Sequence, residues 1–195
     1  MMAQQEDLGD LKLYRIPERV TVASQSQKQV ALLDRKRVKA EIFYRAFIYG
    51  TQPEIHGGVT KILKMRNMVA AGLGLPLPAG KIALFSSGSA RTMLLGQGYF
   101  DDKAVGEEVE IAIGRSVAVS AVAVPLSRSP DGSGEWELRA VNSSPVPVRL
   151  EAEIEGRGMK ILAPGTDVGR ERRPQWNVTV PANGAATLRY RIEKP

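Results

Sequence analysis

Cysteine is absent from this chain. That excludes disulfides, thiolate metal centres and cysteine nucleophiles together, and it is compatible with any compartment. Histidine is reduced to one residue, His56. It lies in Pro53-Glu54-Ile55-His56-Gly57-Gly58, a loop by composition, where a lone histidine reads as solvent-exposed. A serine and an acid would have to converge on it to make a triad, and no Gly-x-Ser-x-Gly elbow is present. A histidine-based metal site would need carboxylate help. No apolar run approaches the ~20 residues of a membrane-spanning helix, so no membrane span is expected. Met1–Asp10 has neither the basic start nor the apolar centre of a secretion signal. The opening Met-Met-Ala-Gln-Gln-Glu-Asp reads as the start of a fragment of a longer protein.

Charge of one sign is not concentrated in either half. The net charge is +6 and the pI about 9.7, yet the basic excess is spread over both halves. Two clusters stand out, Arg35-Lys36-Arg37 and Arg170/Arg172/Arg173. A nucleic-acid binder pairs a basic stripe with exposed aromatics or a reading helix. Neither accompanies these clusters, so no nucleic-acid partner is expected and they read as solvated turns. Association with an anionic polymer or lipid surface is the alternative reading of the charge.

What the chain does have is period-2 alternation along most of its length. Val38, Ala40, Ile42, Tyr44, Ala46 and Ile48 share one face of an extended segment, opposite Glu41, Phe43, Arg45 and Phe47. Lys28–Leu33 is expected to pair with it. Further strands are expected over Val59–Asn67, Lys81–Phe85, Thr92–Leu95, Glu108–Ile113, Glu135–Ala140, Val146–Ile154, Trp176–Val180 and Ala186–Ile192. Short strands with turn signals every ~8–12 residues predict an all-β sandwich architecture. The chain divides near Ser116 into an irregular β-sandwich over 8–116 and an immunoglobulin-like β-sandwich over 117–195. The two are expected to pack together, with no Gly-, Ser- or Pro-rich linker between them.

The densest punctuation is Gly72–Phe85, GLGLPLPAGKIALF. Pro76 and Pro78 each fix φ and remove a backbone donor, so the segment is a loop or a protected edge. Gly80 is expected to take a positive φ before the next strand. Gly96 and Gly98 interrupt a strand as at a bulge. The acidic group Asp101-Asp102, Glu107-Glu108 and Glu110 has the composition of a Ca²⁺ site or a glycosidase carboxylate pair. Phase argues otherwise: Glu108 and Glu110 alternate with Val109, Ile111 and Ile113 and are expected to be solvated. Asp101 sits where the alternation breaks and is expected to hold the turn before Gly106 and Glu107 through backbone hydrogen bonds. Trp136 and Trp176 are in phase with aliphatic neighbours and read as core rather than as a sugar-stacking platform.

Three stretches carry a family resemblance. They are Leu73–Phe85; Leu95-Gly96 through Asp101 and Gly106-Glu107 to Gly114; and Leu138–Val148 followed by Trp176–Ile192. Together they resemble the C-terminal β-rich region of the DUF4139 (mucoidy-inhibitor-A-like) family over roughly Leu11–Ile192. Lys103-Ala104-Val105 departs from a Thr-Pro pair common there before the Gly-Glu. The resemblance implies a β-rich fold and an extracytoplasmic, periplasmic bacterial setting; it implies no activity. No catalytic residue, metal or cofactor is assigned. Pro76, Pro78, Gly80, Asp101, Gly106 and Glu107 are singled out as a structural motif. The expected role is a non-catalytic structural or interaction module whose partner is a protein or an envelope polymer. The competing role is a glycan-binding module or carbohydrate-active enzyme.

Overall fold

The computed structural model describes residues 4–8, 11–15, 21–27, 34–35, 37–50, 58–87 and 92–194. It divides the chain into two units, Met1–Val38 and Lys39–Pro195. In the first, β1 (Gln4–Leu8) and β2 (Leu11–Arg15) form an antiparallel hairpin, with Gln4 opposite Arg15 and Leu8 opposite Leu11. The expected strand over 28–33, His56 and the hairpin tip at 88–91 lie outside the described residues.

The second unit is a β-sandwich. Its strands are β3 (Ala40–Tyr49), β4 (Val59–Arg66), β5 (Gly80–Ser87), β6 (Thr92–Phe100), β7 (Glu108–Arg115), β8 (Val119–Pro125), β9 (Gly134–Asn142), β10 (Val148–Glu155), β11 (Lys160–Leu162), β12 (Asp167–Val168), β13 (Pro174–Val180) and β14 (Gly184–Glu193). One sheet has the order β12-β13-β10-β3-β4-β7, the other β11-β14-β9-β8, and β5 pairs with β6 as a two-stranded sheet. All pairs are antiparallel except β3 with β10. Among the described residues, no helix is long and apolar enough to cross a membrane.

Alternation explains the two layers. Side chains at i and i+2 share a face, so each strand turns one apolar row inward. Trp136, Leu138 and Ala140 of β9, with Leu188, Tyr190 and Ile192 of β14 and Val119, Ala121 and Ala123 of β8, supply one side of the core. Leu150, Ala152 and Ile154 of β10, Trp176 and Val180 of β13, Ala46 and Ile48 of β3, and Val59 of β4 supply the other. The parallel β3–β10 pair sets Ala46 beside Ala152 and Ile48 beside Ile154. Both of these rows face the core.

The expected division at Ser116 therefore needs correction. Residues 117–195 do contribute strands to both sheets, but the described residues of 39–116 do not form a separate unit. They extend one sheet of the same sandwich through β3, β4 and β7, and their Ala46, Ile48 and Val59 enter the common core. Ser116 is a corner rather than a boundary. Its N–H donates to the Val59 carbonyl at 2.7 Å and its hydroxyl accepts from the Val119 N–H at 2.9 Å, turning the chain from β7 in one sheet to β8 in the other. The buried Tyr190 hydroxyl donates to the Gly50 carbonyl at 2.9 Å, tying β14 to the end of β3. Burial raises the pKa of that phenol.

The β5–β6 hairpin lies against β7. A Cβ on Gly96 would collide with the Ile113 carbonyl oxygen, and one on Gly98 with the Ala112 carbonyl oxygen. These glycines are needed for close backbone approach, not for a special φ. Leu84 pairs with Gly96 and Phe85 with Leu94, so Leu95 is the extra residue of a bulge. Gly96→Val is expected to lower stability by at least ~1–3 kcal/mol, because β7 backbone cannot give way as a side chain would. A urea midpoint equal to that of the wild type would contradict this packing.

Candidate functional site

Two arrangements bring polar groups together, one in the loops beside the β4 end and one on the outer face of the six-stranded sheet.

The loop arrangement is built on Asn67, which directly follows β4 and is fully buried. Its amide nitrogen donates to the carbonyls of Leu75 at 2.6 Å and Ala104 at 2.9 Å, and its amide oxygen accepts from Gly74 N–H at 3.0 Å. Its backbone N–H donates to the Glu107 carbonyl, and its own carbonyl accepts from Gly106 N–H at 2.6 Å. One side chain thus fastens two loops separated by about thirty residues of sequence. Local chemistry prepares the first loop. Val69–Ala71 is a single 3-10 turn closed by Gly72 at φ 89, and Gly74 follows at φ 83. Pro76 and Pro78 flank the buried Leu77, whose N–H and carbonyl both bond Lys103. On the second loop, Gly106 has φ 92 and the Glu107 carboxylate accepts from Ala104 N–H at 2.7 Å.

Two expectations for this motif are corrected. Gly80 is not at positive φ: it already belongs to β5, so the left-handed positions fall earlier, at Gly72 and Gly74. Asp101 accepts no hydrogen bond among the described residues; Asp102 takes the role, accepting from Ala79 N–H at 2.5 Å. The Leu77–Lys103 bridge holds the two segments side by side, within reach of that bond.

The second arrangement lies on the sheet face opposite the core. The β3–β10 pairing sets Arg45 beside Glu151, Phe47 beside Glu153 and Tyr49 beside Glu155. Arg45 reaches across β4 and donates both terminal nitrogens to Glu110 on β7, at 2.8 and 3.0 Å, and one to Glu151 at 2.8 Å. Its stem carries the guanidinium over the Phe43 ring, 5.0 Å from the centroid. From the turn before β13, Arg170 reaches Glu110 at 2.6 Å, and Arg173 bonds Glu155 and lies 5.2 Å above Phe47. Lys64 lies between Glu108 and Glu110. Glu110 is thus no solvated strand residue, as its phase alone implied. It holds the centre of a network spanning β7, β3 and β10, because Arg45 sits two strands away in the right register.

The hydrogen bonds from Arg45 hold the Glu110 carboxyl at about 2, below its ordinary 4.5, with Arg170 adding to the effect against desolvation. For Arg45, burial favours loss of the proton, but the bonds to Glu110 and Glu151 outweigh it and raise its pKa. A carboxyl depressed in the folded state contributes stability above its ordinary range and loses it as pH falls toward the folded value. Wild type is therefore expected to exceed Glu110→Gln in urea midpoint at about pH 6, with the gap closing by about pH 2. A gap independent of pH would mean that the ionised carboxylate contributes nothing.

Chemically, these charges face one another. The comparisons with family models, with curated proteins and with solved structures find no match. The remaining sequence candidates resolve as follows. Trp136 and Trp176 are buried in the core, as their phase predicts. Asn142 is also buried, its amide nitrogen bonded to the carbonyls of Val146 and Pro181. Phe47 and Tyr49 meet edge to face at 87°, and Arg173 and Arg157 cover their rings. Among the described residues, no three His, Cys, Asp or Glu side chains gather to hold a metal ion. Sequence reasoning missed both hubs. Asn67 was readable as the polar residue ending an alternation just before a Gly-Pro loop. Arg45 was readable as a charge within an aromatic row.

Proposed function

We propose that this chain is a non-catalytic β-sandwich module, a structural scaffold or protein-interaction unit, of an extracytoplasmic bacterial protein of the DUF4139-like kind. The observation that carries the reading is the state of the Arg45–Glu110–Glu151–Arg170 network. The densest group of ionisable side chains is engaged in mutual ion pairs that join three strands, which is the work of a brace. The pairing leaves Glu110 deprotonated and Arg45 protonated near neutral pH, and neither is poised to exchange a proton there.

The glycan-binding alternative draws less support. Its tryptophans are in the core, and the Phe47–Tyr49 pair on the six-stranded sheet is perpendicular and covered by arginine, whereas a sugar ring stacks on an open aromatic face.

The test is a panel of glycosidase, esterase and phosphatase substrates together with a glycan array, applied to purified protein. The reading expects neither turnover nor glycan retention. Turnover that disappears in Glu110→Gln or in a His56 variant would replace it with the enzymatic alternative.

A further inference from the structure

Glu153 is the exception on the outer face of the six-stranded sheet. It is only 7% exposed, yet among the described residues its carboxylate has no hydrogen bond and no ion pair. Its neighbours are engaged elsewhere. Arg45 is taken by Glu110 and Glu151, and Arg173 by Glu155. Gln175, opposite Glu153 on β13, donates its amide to Asn177 at 2.8 Å. Phe47, beside it on β3, offers a ring and no donor. A buried carboxylate without a partner is costly, and it marks a place where a cation can be received.

The turn Gly169–Arg173 overlies this carboxylate, for its anchors lie around it: Arg170 on Glu110, and Arg173 on Glu155 and over Phe47. The turn is closed by the Gly169 N–H, which donates to the Arg173 carbonyl at 2.7 Å. It is also strained. Glu171 and Arg172 follow one another at φ 53 and 61, in the left-handed region that favours glycine. Such strain persists only while surrounding contacts hold it, and one of those contacts is Arg170, whose side chain is 61% exposed.

The strap shows what this face binds. Phe43, Phe47 and Tyr49 each carry a guanidinium over the ring, from Arg45, Arg173 and Arg157, at 5.0, 5.2 and 4.0 Å from the centroid. Arg45 and Arg173 also bond carboxylates of β10. Arginine suits that combination, because its planar group stacks on a ring while its fork meets a carboxylate. We propose that this face is an arginine-binding surface covered by its own strap. When Arg170 and Arg173 let go, an arginine-bearing segment of a partner protein takes their place, and its guanidinium pairs with Glu153 beside Phe47. The proposal rests on the reading of the chain as an interaction module and names the chemistry of the partner.

The experiment is fluorescence anisotropy of a labelled hexa-arginine peptide with the full chain at physiological salt. Binding is expected although the net charge of +6 opposes it. Hexa-lysine is expected to bind more weakly, since an ammonium lacks the planar fork. Glu153→Gln is expected to weaken hexa-arginine binding roughly tenfold, through loss of the buried charge pair. Arg170→Ser is expected to tighten it several-fold, because the face is then open in a larger fraction of the molecules. A strap with a purely structural role gives no such gain. Both variants are expected to melt close to wild type, as Glu153→Gln keeps the shape of the side chain and Arg170 is exposed. Absence of binding by both wild type and Arg170→Ser would overturn the proposal. So would equal affinity in Glu153→Gln, unchanged or weaker affinity in Arg170→Ser, or hexa-lysine binding as tightly as hexa-arginine. None of these results touches the non-catalytic reading, which falls only on turnover in the substrate panel.

Discussion

Trp136→Ala is expected to lower the stability of the sandwich by about 3–5 kcal/mol, a large part of what a domain of this size possesses. The indole is wholly buried on β9 and stacks on Tyr190 of β14, with ring centroids 6.4 Å apart and planes 19° from parallel. Removing it leaves a cavity between two sheets already fixed by their hydrogen bonds, so the walls cannot collapse to fill it. Among the described residues the indole N–H has no hydrogen-bond partner, and Trp136→Phe discards that unpaired donor while keeping an aromatic ring. The phenylalanine variant is therefore expected to lie much nearer wild type than the alanine one. Urea unfolding followed by far-ultraviolet circular dichroism measures both. Equal losses in the two variants would show that the ring does not fill the core.

Asn67→Ala is expected to cost about 3–5 kcal/mol, although it removes only a small polar side chain. The buried carbonyls of Leu75 and Ala104 lose their donor, and the N–H of Gly74 loses its acceptor. Buried groups left unpaired cost more than the bonds themselves contributed. Asn67→Asp is expected to rescue little, since it turns a carboxylate oxygen toward those two carbonyls. In contrast, Asp101→Ala and Gly80→Ala should fall within about 0.5 kcal/mol of wild type, because Asp101 bonds nothing among the described residues and Gly80 has open space at its Cβ. Denaturation midpoints that place Asn67→Ala beside Asp101→Ala would remove Asn67 from the centre of the loops.

The strands were legible because burial on one face writes itself into every second residue. Trp136, Leu138 and Ala140 announce their inward side without reference to any other strand. What joins the strands is not written locally. A corner between sheets and the tip of a hairpin use the same turn chemistry, so the alternation after Ser116 resumes as it would in a new domain. The parallel β3–β10 pair brings together segments about a hundred residues apart, and no local pattern specifies that choice. The roles of Glu110 and Glu151 follow from it. Phase places both outward, but only the strand order sets Arg45 between them. The proline-glycine loop was visible as a loop, while the side chain that holds it lies just outside the conspicuous motif, in Asn67. Likewise Asp101 was expected to hold the turn, but it is its neighbour Asp102 that bonds Ala79.

The most direct test of the single shared sandwich follows one urea titration of the chain with two reporters. Fluorescence of Trp136 and Trp176 reads the core contributed by residues after Ser116. Hydrogen exchange of the β3 and β4 amides reads the strands contributed before it. Because Ala46, Ile48 and Val59 lie in the same core as both indoles, the two signals are predicted to change at one midpoint, with the slowest β3 amides exchanging only through global unfolding. Exchange of β3 and β4 at lower urea, while the indoles remain buried, would instead show two separable units meeting at Ser116.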